Sequence, residues 1–258
     1  MDITSDTFKN KTVLITGAAS GLGKAMAIGF AKAGASVIVS DINDAGTEVA
    51  SEINGEFIKA DLSSMEETKK MCMQTLKLVE SVDILVNNAG FQKMSPVEEF
   101  PDQLWANMIQ VMLISAFQTI KYFLPSMKNQ GWGRIINISS IHGLVASPYK
   151  SAYNSAKHGL IGLTKTIALE AGQHGITVNA ICPGWTRTPI VESQIQDQAN
   201  YHGIDRDEVV DQIILAPAAI KRLIEPDEIS HLALFLASED ARSITGSTYS
   251  IDAGWVAR

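Results

Sequence analysis

Short β-branched, largely apolar runs alternate along this chain with longer stretches whose apolar residues recur every three to four positions. The runs are TVLIT (12–16), SVIVS (36–40), EFIKA (56–60), DILVN (83–87), RIINIS (134–139), ITVNAI (176–181) and a last short one at 247–251. Their length and composition predict strands. Between them, residues 21–33 carry Leu22, Met26, Phe30 and Ala33 at helical spacing. Helices are also expected over 43–53, 64–80, about 102–128 (ending after Pro125), 151–173 and 226–238. Strands without polar alternation are buried on both faces, which calls for a parallel sheet with helices on either side. Right-handed crossovers then wind the chain into one doubly wound α/β domain spanning 1–258. One segment breaks the rhythm. Residues 185–225 are polar, and helix-like over 190–217, where a further β–α unit is due. An insertion at the carboxyl edge of the sheet predicts a helical substrate lid.

Composition narrows the partners. The 258 residues, 46% apolar and 19% charged, suffice for one large core. A net charge of −7 offers no Lys/Arg excess, so no nucleic-acid partner is expected, although a pocket can still be locally positive. Cys72 and Cys182 lie far apart without metal spacing and read as reduced core thiols of a cytoplasmic protein. The opening MDITSDTFKN has no apolar signal core, and no apolar run reaches the roughly 18 residues of a membrane span, so no membrane partner is expected. His158, His174, His202 and His231 show no ligand spacing, and Asp205, Asp207, Glu208 and Asp211 read as a solvated helix face. No metal is assigned.

The first strand runs into TGAASGLG (16–23), which opens the first helix. Gly17, Gly21 and Gly23 stand where backbone must turn sharply and approach a ligand, and a helix N-terminus suits a pyrophosphate. The alternative is an ordinary glycine-rich turn. Asp41 ends the second strand, 18 residues after Gly23. Its carboxylate suits ribose hydroxyls and would repel a 2′-phosphate, favouring NAD over NADP; its other reading is a helix cap. Asp61, ending the third strand, is either beside the adenine or a cap for 64–80. NNAG (87–90) ends the fourth strand with small residues and amides, as a cofactor contact or a plain turn. The whole is Rossmann-like.

Tyr153 and Lys157 are spaced i, i+4 within the 151–173 helix and share a face. An ammonium about 4 Å from a phenolate, at an effective dielectric near 20, is worth roughly 4 kcal/mol, or about 3 pK units before desolvation is subtracted. Such a pair brings a tyrosine toward the neutral range where acid–base catalysis works. A bare surface pair is the alternative. Ser140 ends the fifth strand, where its hydroxyl can reach the same oxygen.

With TGAASGLG, Asp41, NNAG, Ser140 and Tyr153-x-x-x-Lys157 in this order, essentially the whole chain resembles the short-chain dehydrogenase/reductase family. The resemblance implies Tyr153 as acid/base, Lys157 as its pKa-lowering partner and ribose holder, and Ser140 as orienter of the substrate oxygen. It implies cofactor contacts at Gly17, Ser20, Gly21, Leu22, Gly23, Asp41, Asp61, Leu62, Asn88, Ala89, Gly90, Tyr153, Lys157, Pro183, Gly184 and Thr188, the last three from PGWTRTP (183–189). It also implies a homotetramer, with the 102–128 and 151–173 helices at its interfaces. One position departs: the family's relay asparagine is replaced by Met112, which cannot relay a proton.

Within the family, residues 139–165, GFQ (90–92), CPGWTRTPIVESQI (182–195) and the ending DAGWVAR are similar to the subgroup that interconverts (R)-3-hydroxybutyrate and acetoacetate with NAD. That similarity implies a small carboxylate held by Gln92, His142, Lys150 and Gln194, with Trp185 and Trp255 closing on its apolar end. The chemistry agrees, since Lys150 would supply a charge-assisted bond. Residue by residue the alternatives stay open: a solvated Lys150, a loop-bonding His142, Gln194 on a polar lid face, Trp255 as packing. Tyr149 reads as packing. Another alcohol, polyol or 3-oxoacyl substrate and a non-catalytic NAD(H) sensor are the rival readings.

Overall fold

In the computed structural model, which describes residues 4–257 (the side chains of Asp197, Tyr201 and His202 excepted), seven parallel strands form one sheet in the order β3-β2-β1-β4-β5-β6-β7. They are β1 Thr12–Thr16, β2 Ser36–Asp41, β3 Glu56–Lys59, β4 Ile84–Asn87, β5 Gly133–Ile138, β6 Ile176–Pro183 and β7 Thr248–Ile251. The order reverses between β1 and β4, the switch point where a ligand crevice opens at the carboxyl ends. The doubly wound, Rossmann-like reading is thus what the chain adopts. The His202 side chain and the ends of the opening and closing motifs lie outside what the structure describes.

Side chains of β1 alternate between two cores. Val13 and Ile15 pack with Met26 and Phe30 of α1 (Gly21–Lys32) and Leu234 of α9 (Pro226–Ala237). Leu14 packs on the other face with Met71 of α3 (Met65–Leu78), Phe123 of α5 (Ser115–Gln130) and Ala168 of α6 (Ser151–Ala171). A short α2 (Gly46–Glu52) completes the first half. Burial on both faces explains why the central strands are largely apolar without polar alternation.

A buried polar chain ties the centre together. The Asn87 amide donates to Asn137 Oδ1 at 2.9 Å, and Asn137 donates to Thr164 at 2.9 Å. Thr119 donates to Asn87 Oδ1 at 2.7 Å. It links α5, β4, β5 and α6.

Two expectations are corrected. The helix expected over 102–128 is α4 (Asp102–Ile109), a π-helical turn (Gln110–Ile114) and α5, and it runs past Pro125 to Gln130. Proline removes one backbone donor but buried Ile120, Phe123 and Met127 hold the helix to the sheet, and left-handed Gly131 (φ 69°) ends it. The 190–217 stretch is not simply polar. Its α7 (Pro189–His202) and α8 (Arg206–Val209) enclose a small core of Val191, Ile195, Ala199, Val209, Ile214 and Leu223. Asp205, Asp207, Glu208 and Asp211 are exposed, as read, and Asp205 and Glu208 each also bond the other's backbone N–H, capping α8. Among the described residues no helix is long and apolar enough to cross a membrane.

Candidate active site

At the switch point the chain forms a cleft of about 590 Å³. Gly17, Ser20, Gly21, Leu22, Asp41, Asp61, Leu62, Asn88, Ala89, Gly90, Tyr153, Lys157, Pro183, Gly184 and Thr188 all line it. Gly23 does not. A Cβ there would lie 2.2 Å from the Gly17 carbonyl oxygen, so this glycine lets helix α1 pack on the loop. Gly17, at φ 66°, would put a Cβ 2.7 Å from Ala89 Cα. The cradle therefore needs glycine for backbone approach and handedness. Ser20 begins α1 without capping it, which leaves first-turn N–H groups facing the cleft. These features fit a dinucleotide's pyrophosphate.

Asp41 is not a helix cap, since α2 begins at Gly46. Its two carboxylate oxygens accept the N–H groups of Ala19 and Asn43, both at 2.9 Å, which fixes the carboxylate at the cleft rim. Asp61 accepts the Ser63 N–H at 2.9 Å, and Ser64, not Asp61, caps α3. The Asn88 side chain is used internally. It donates to the Thr16 and Gly17 carbonyls at 2.9 and 2.8 Å. Thr16, which the sequence reading passed over, accepts the N–H groups of Asn88 and Ala89 and shapes that turn.

A second, narrower cavity of about 60 Å³ adjoins the cleft. Gln92, Ser140, His142, Lys150, Tyr153, Trp185 and Gln194 line it. Trp255 does not line it but stands behind, its ring edge-on to His142 at 6.0 Å. Ser140 and Tyr153 belong to both cavities and meet through a side-chain hydrogen bond. His142 presents a perpendicular ring to Tyr153 at 6.2 Å.

Lys157 is buried, and its ammonium donates to the Ile138 carbonyl at 2.7 Å while lying 5.6 Å from the Tyr153 ring centroid. Burial lowers its pKa to about 8. Burial also raises the Tyr153 phenol, outweighing the Ser140 hydrogen bond that pulls it down. The expected lowering by Lys157 is therefore not present in the protein alone: desolvation acts on both partners and the ammonium is turned to the backbone. Met112 is buried in the π-helical turn, its Cγ and Sδ 3.2 and 3.3 Å from where a Cβ on Gly90 would stand. Apolar sulfur packs where the resemblance implied an amide.

Lys150 is no surface residue. It is 5% exposed, its Nζ lies 3.2 Å from His142 Nε2, and it sits 5.1 Å from the Trp185 ring centroid. Desolvation lowers its pKa to about 8. His142 falls to about 3, through burial first and then the Lys150 charge. At neutral pH a charged Lys150 donates to a neutral His142, whose proton is then on Nδ1, an atom left without a partner. Both amide atoms of Gln92 are also buried without partners. A buried cation flanked by polar atoms without partners has the chemistry to accept a small anion.

Tyr149 is half exposed at 56%, so it is not packing as expected, and its backbone is left-handed at φ 64°. Nothing in its residue type signals this; only the preceding proline hints at a turn.

A family model described as Enoyl-(Acyl carrier protein) reductase matches residues 17–256. A protein of Rhizobium meliloti named D-beta-hydroxybutyrate dehydrogenase is 46% identical over 256 residues, covering 96% of this chain and 99% of its own. One of the same name from Cupriavidus necator is 43% identical over 254 residues, covering 96% and 98%. Among solved structures, a proposed NAD(P)-dependent gluconate 5-dehydrogenase of Beutenbergia cavernae, with NADP bound at low occupancy, superposes with a TM-score of 0.88 at 32% identity, covering 98% of this chain and 100% of that one.

Proposed function

This chain belongs to the short-chain dehydrogenase/reductase family of oxidoreductases, and we propose that it is an NAD-dependent enzyme interconverting (R)-3-hydroxybutyrate and acetoacetate. The observation that carries the substrate is the buried Lys150 ammonium, beside partnerless atoms of His142 and Gln92, in a cavity that shares Tyr153 and Ser140 with the cleft. Lys150 donates a charge-assisted bond to the acid's carboxylate, and His142, Gln92 and Gln194 complete its shell. Trp185, with Trp255 edge-on to His142 nearby, bounds the apolar end, and these bulky indoles favour a small group such as methyl.

The glycine loop, Asp41, Asp61, Leu62, Asn88, Ala89, Gly90, Pro183, Gly184 and Thr188 would hold the dinucleotide. When bound, NAD supplies the acceptor for hydride from C3. Asp41 supports NAD over NADP, since a fixed carboxylate opposes a 2′-phosphate. Ser140 and Tyr153 hold the reacting oxygen. Tyr153 takes the hydroxyl proton in oxidation and returns it in reduction, with the Lys157 ammonium stabilising the phenolate as it forms. Met112 carries no proton, so that route lacks the side chain implied by the resemblance.

The reading extends to a cytoplasmic homotetramer whose 185–225 segment closes as a lid. Exposed Phe117 on α5 and Leu169 on α6 support association through those faces, and Gln194 and Val191 of α7 line both cavities. The test is NADH formation by purified protein from NAD and (R)-3-hydroxybutyrate, with the S acid, NADP, a polyol and a 3-oxoacyl thioester alongside. Turnover of the R acid with NAD is expected. Turnover of a neutral polyol or thioester but not of the acid would overturn the carboxylate reading.

A further inference from the structure

Two separate segments carry the anion-binding groups. Gln92 stands on the loop after β4, and Lys150 on the loop before α6. One backbone hydrogen bond joins them: the Ser95 N–H donates to the Tyr149 carbonyl at 2.9 Å. Tyr149 makes this contact from the left-handed region, at φ 64°, as the second residue of a Pro148–Tyr149 turn. Proline followed by a residue at positive φ is the order of a type II turn, which normally takes glycine or asparagine in the second place. The phenol does not explain the choice of conformation, since the side chain is 56% exposed. The next residue, Lys150, is 5% exposed. Beyond it the Asn154 side chain donates to the Ser147 carbonyl at 2.9 Å and closes the loop.

We infer that Tyr149 is a positioning residue for substrate: its left-handed backbone, held by the Ser95 amide, turns Lys150 inward and fixes the distance between Lys150 and Gln92. The inference rests on the carboxylate reading above. Strained non-glycine backbone persists only where its surroundings over-determine it, and such positions gather at binding sites. A relaxed, extended residue 149 would move its carbonyl off Ser95 and swing the following side chain away from His142. Substrate affinity therefore depends on a backbone angle at a residue whose own side chain faces water.

The test compares Tyr149→Asn, Tyr149→Gly and Tyr149→Val, with Lys150→Ala as the reference and NADH binding as the check on folding. Asparagine and glycine tolerate positive φ and a β-branched residue does not. Tyr149→Val is expected to raise KM for the acid about tenfold, with KM for NAD and kcat at saturation nearly unchanged, while Asn and Gly stay within about twofold of the parent. Ser95→Pro, which deletes the donor, should reproduce the valine effect. A large KM rise in Lys150→Ala with none in Tyr149→Val and Ser95→Pro would overturn the positioning role and leave the carboxylate reading standing. Equal losses in Asn, Gly and Val would also overturn it, by assigning the effect to the phenol. No KM change in Lys150→Ala would remove the carboxylate reading and this inference with it.

Discussion

The two halves of the site are built on opposite terms. On the cofactor side, positive φ falls on Gly17 and Gly21, and the lining groups are already engaged: Asp41 by two backbone amides, Asn88 by two carbonyls. On the substrate side, positive φ falls on Tyr149, a buried ammonium has a neutral imidazole and an indole face beside it, and Gln92 and His142 present unpaired atoms. In the first half the lining side chains are engaged before anything binds, and the first-turn N–H groups of α1 are left for a ligand. The second is completed by what binds. A rigid cradle suits a large ligand whose contacts are spread over many residues. An unsatisfied pocket gives a small ligand leverage, because each group it pairs relieves a desolvation cost of about 1–3 kcal/mol.

The largest effect is expected at the seam. Tyr153→Phe should lower kcat by about a thousandfold while NADH binding is kept, because acid–base transfer alone is lost; residual activity near that of the parent would dissolve the division of labour between the halves. Next is Gly23→Ala on the cofactor side. Its Cβ would meet the Gly17 oxygen at 2.2 Å and the Ala18 Cα at 2.8 Å. NADH affinity measured by titration should fall by about 10- to 100-fold, the range of an overpacking penalty; unchanged affinity would show that the cradle is not rigid.

The third sharpens the substrate side. Burial lowers the Lys150 pKa to about 8, so raising pH through 8 discharges it in the folded protein. Between pH 7 and pH 9 KM for the acid should rise about tenfold, and Lys150→Arg, charged throughout, should flatten the profile. Lys157 titrates in the same range, but its loss would be read in kcat and in KM for NAD. The smallest is Asp41→Asn, expected to shift the ratio of NAD to NADP efficiency by about fivefold toward NADP, the scale of one hydrogen bond; an unmoved ratio would take nucleotide choice away from Asp41.

Most of this architecture was legible because it rests on local rules. Apolar runs without polar alternation gave the sheet, the glycine spacing gave the cradle, and the i, i+4 spacing of Tyr153 and Lys157 gave a shared face. What escaped depends on contacts between distant segments. The Ile138 carbonyl that holds Lys157, the Thr16 hydroxyl under the NNAG turn and the Ser95 bond to Tyr149 have no sequence spacing to betray them. Gly23 was assigned to the cofactor because spacing cannot distinguish a glycine facing a ligand from one facing its own loop. Trp255 was placed in the pocket wall, whereas it stands behind His142.

The Asn87–Asn137 pair has a consequence for how the chain finds its fold. Apart from Arg134 opposite Ile84, the other paired positions of β4 and β5 are apolar, so a displaced alignment of the two strands would still bury much of the same hydrocarbon. Asn87 lies opposite Asn137 in the native register, where their amides meet. A displacement by one residue would point one carboxamide to the wrong face and leave both unpaired in the core, losing also the bonds to Thr119 and Thr164. The pair acts as a proofreading mark: wrong alignments are penalised while the sheet assembles, and only the accepted one brings Asn88 and Ser140 out at the same edge.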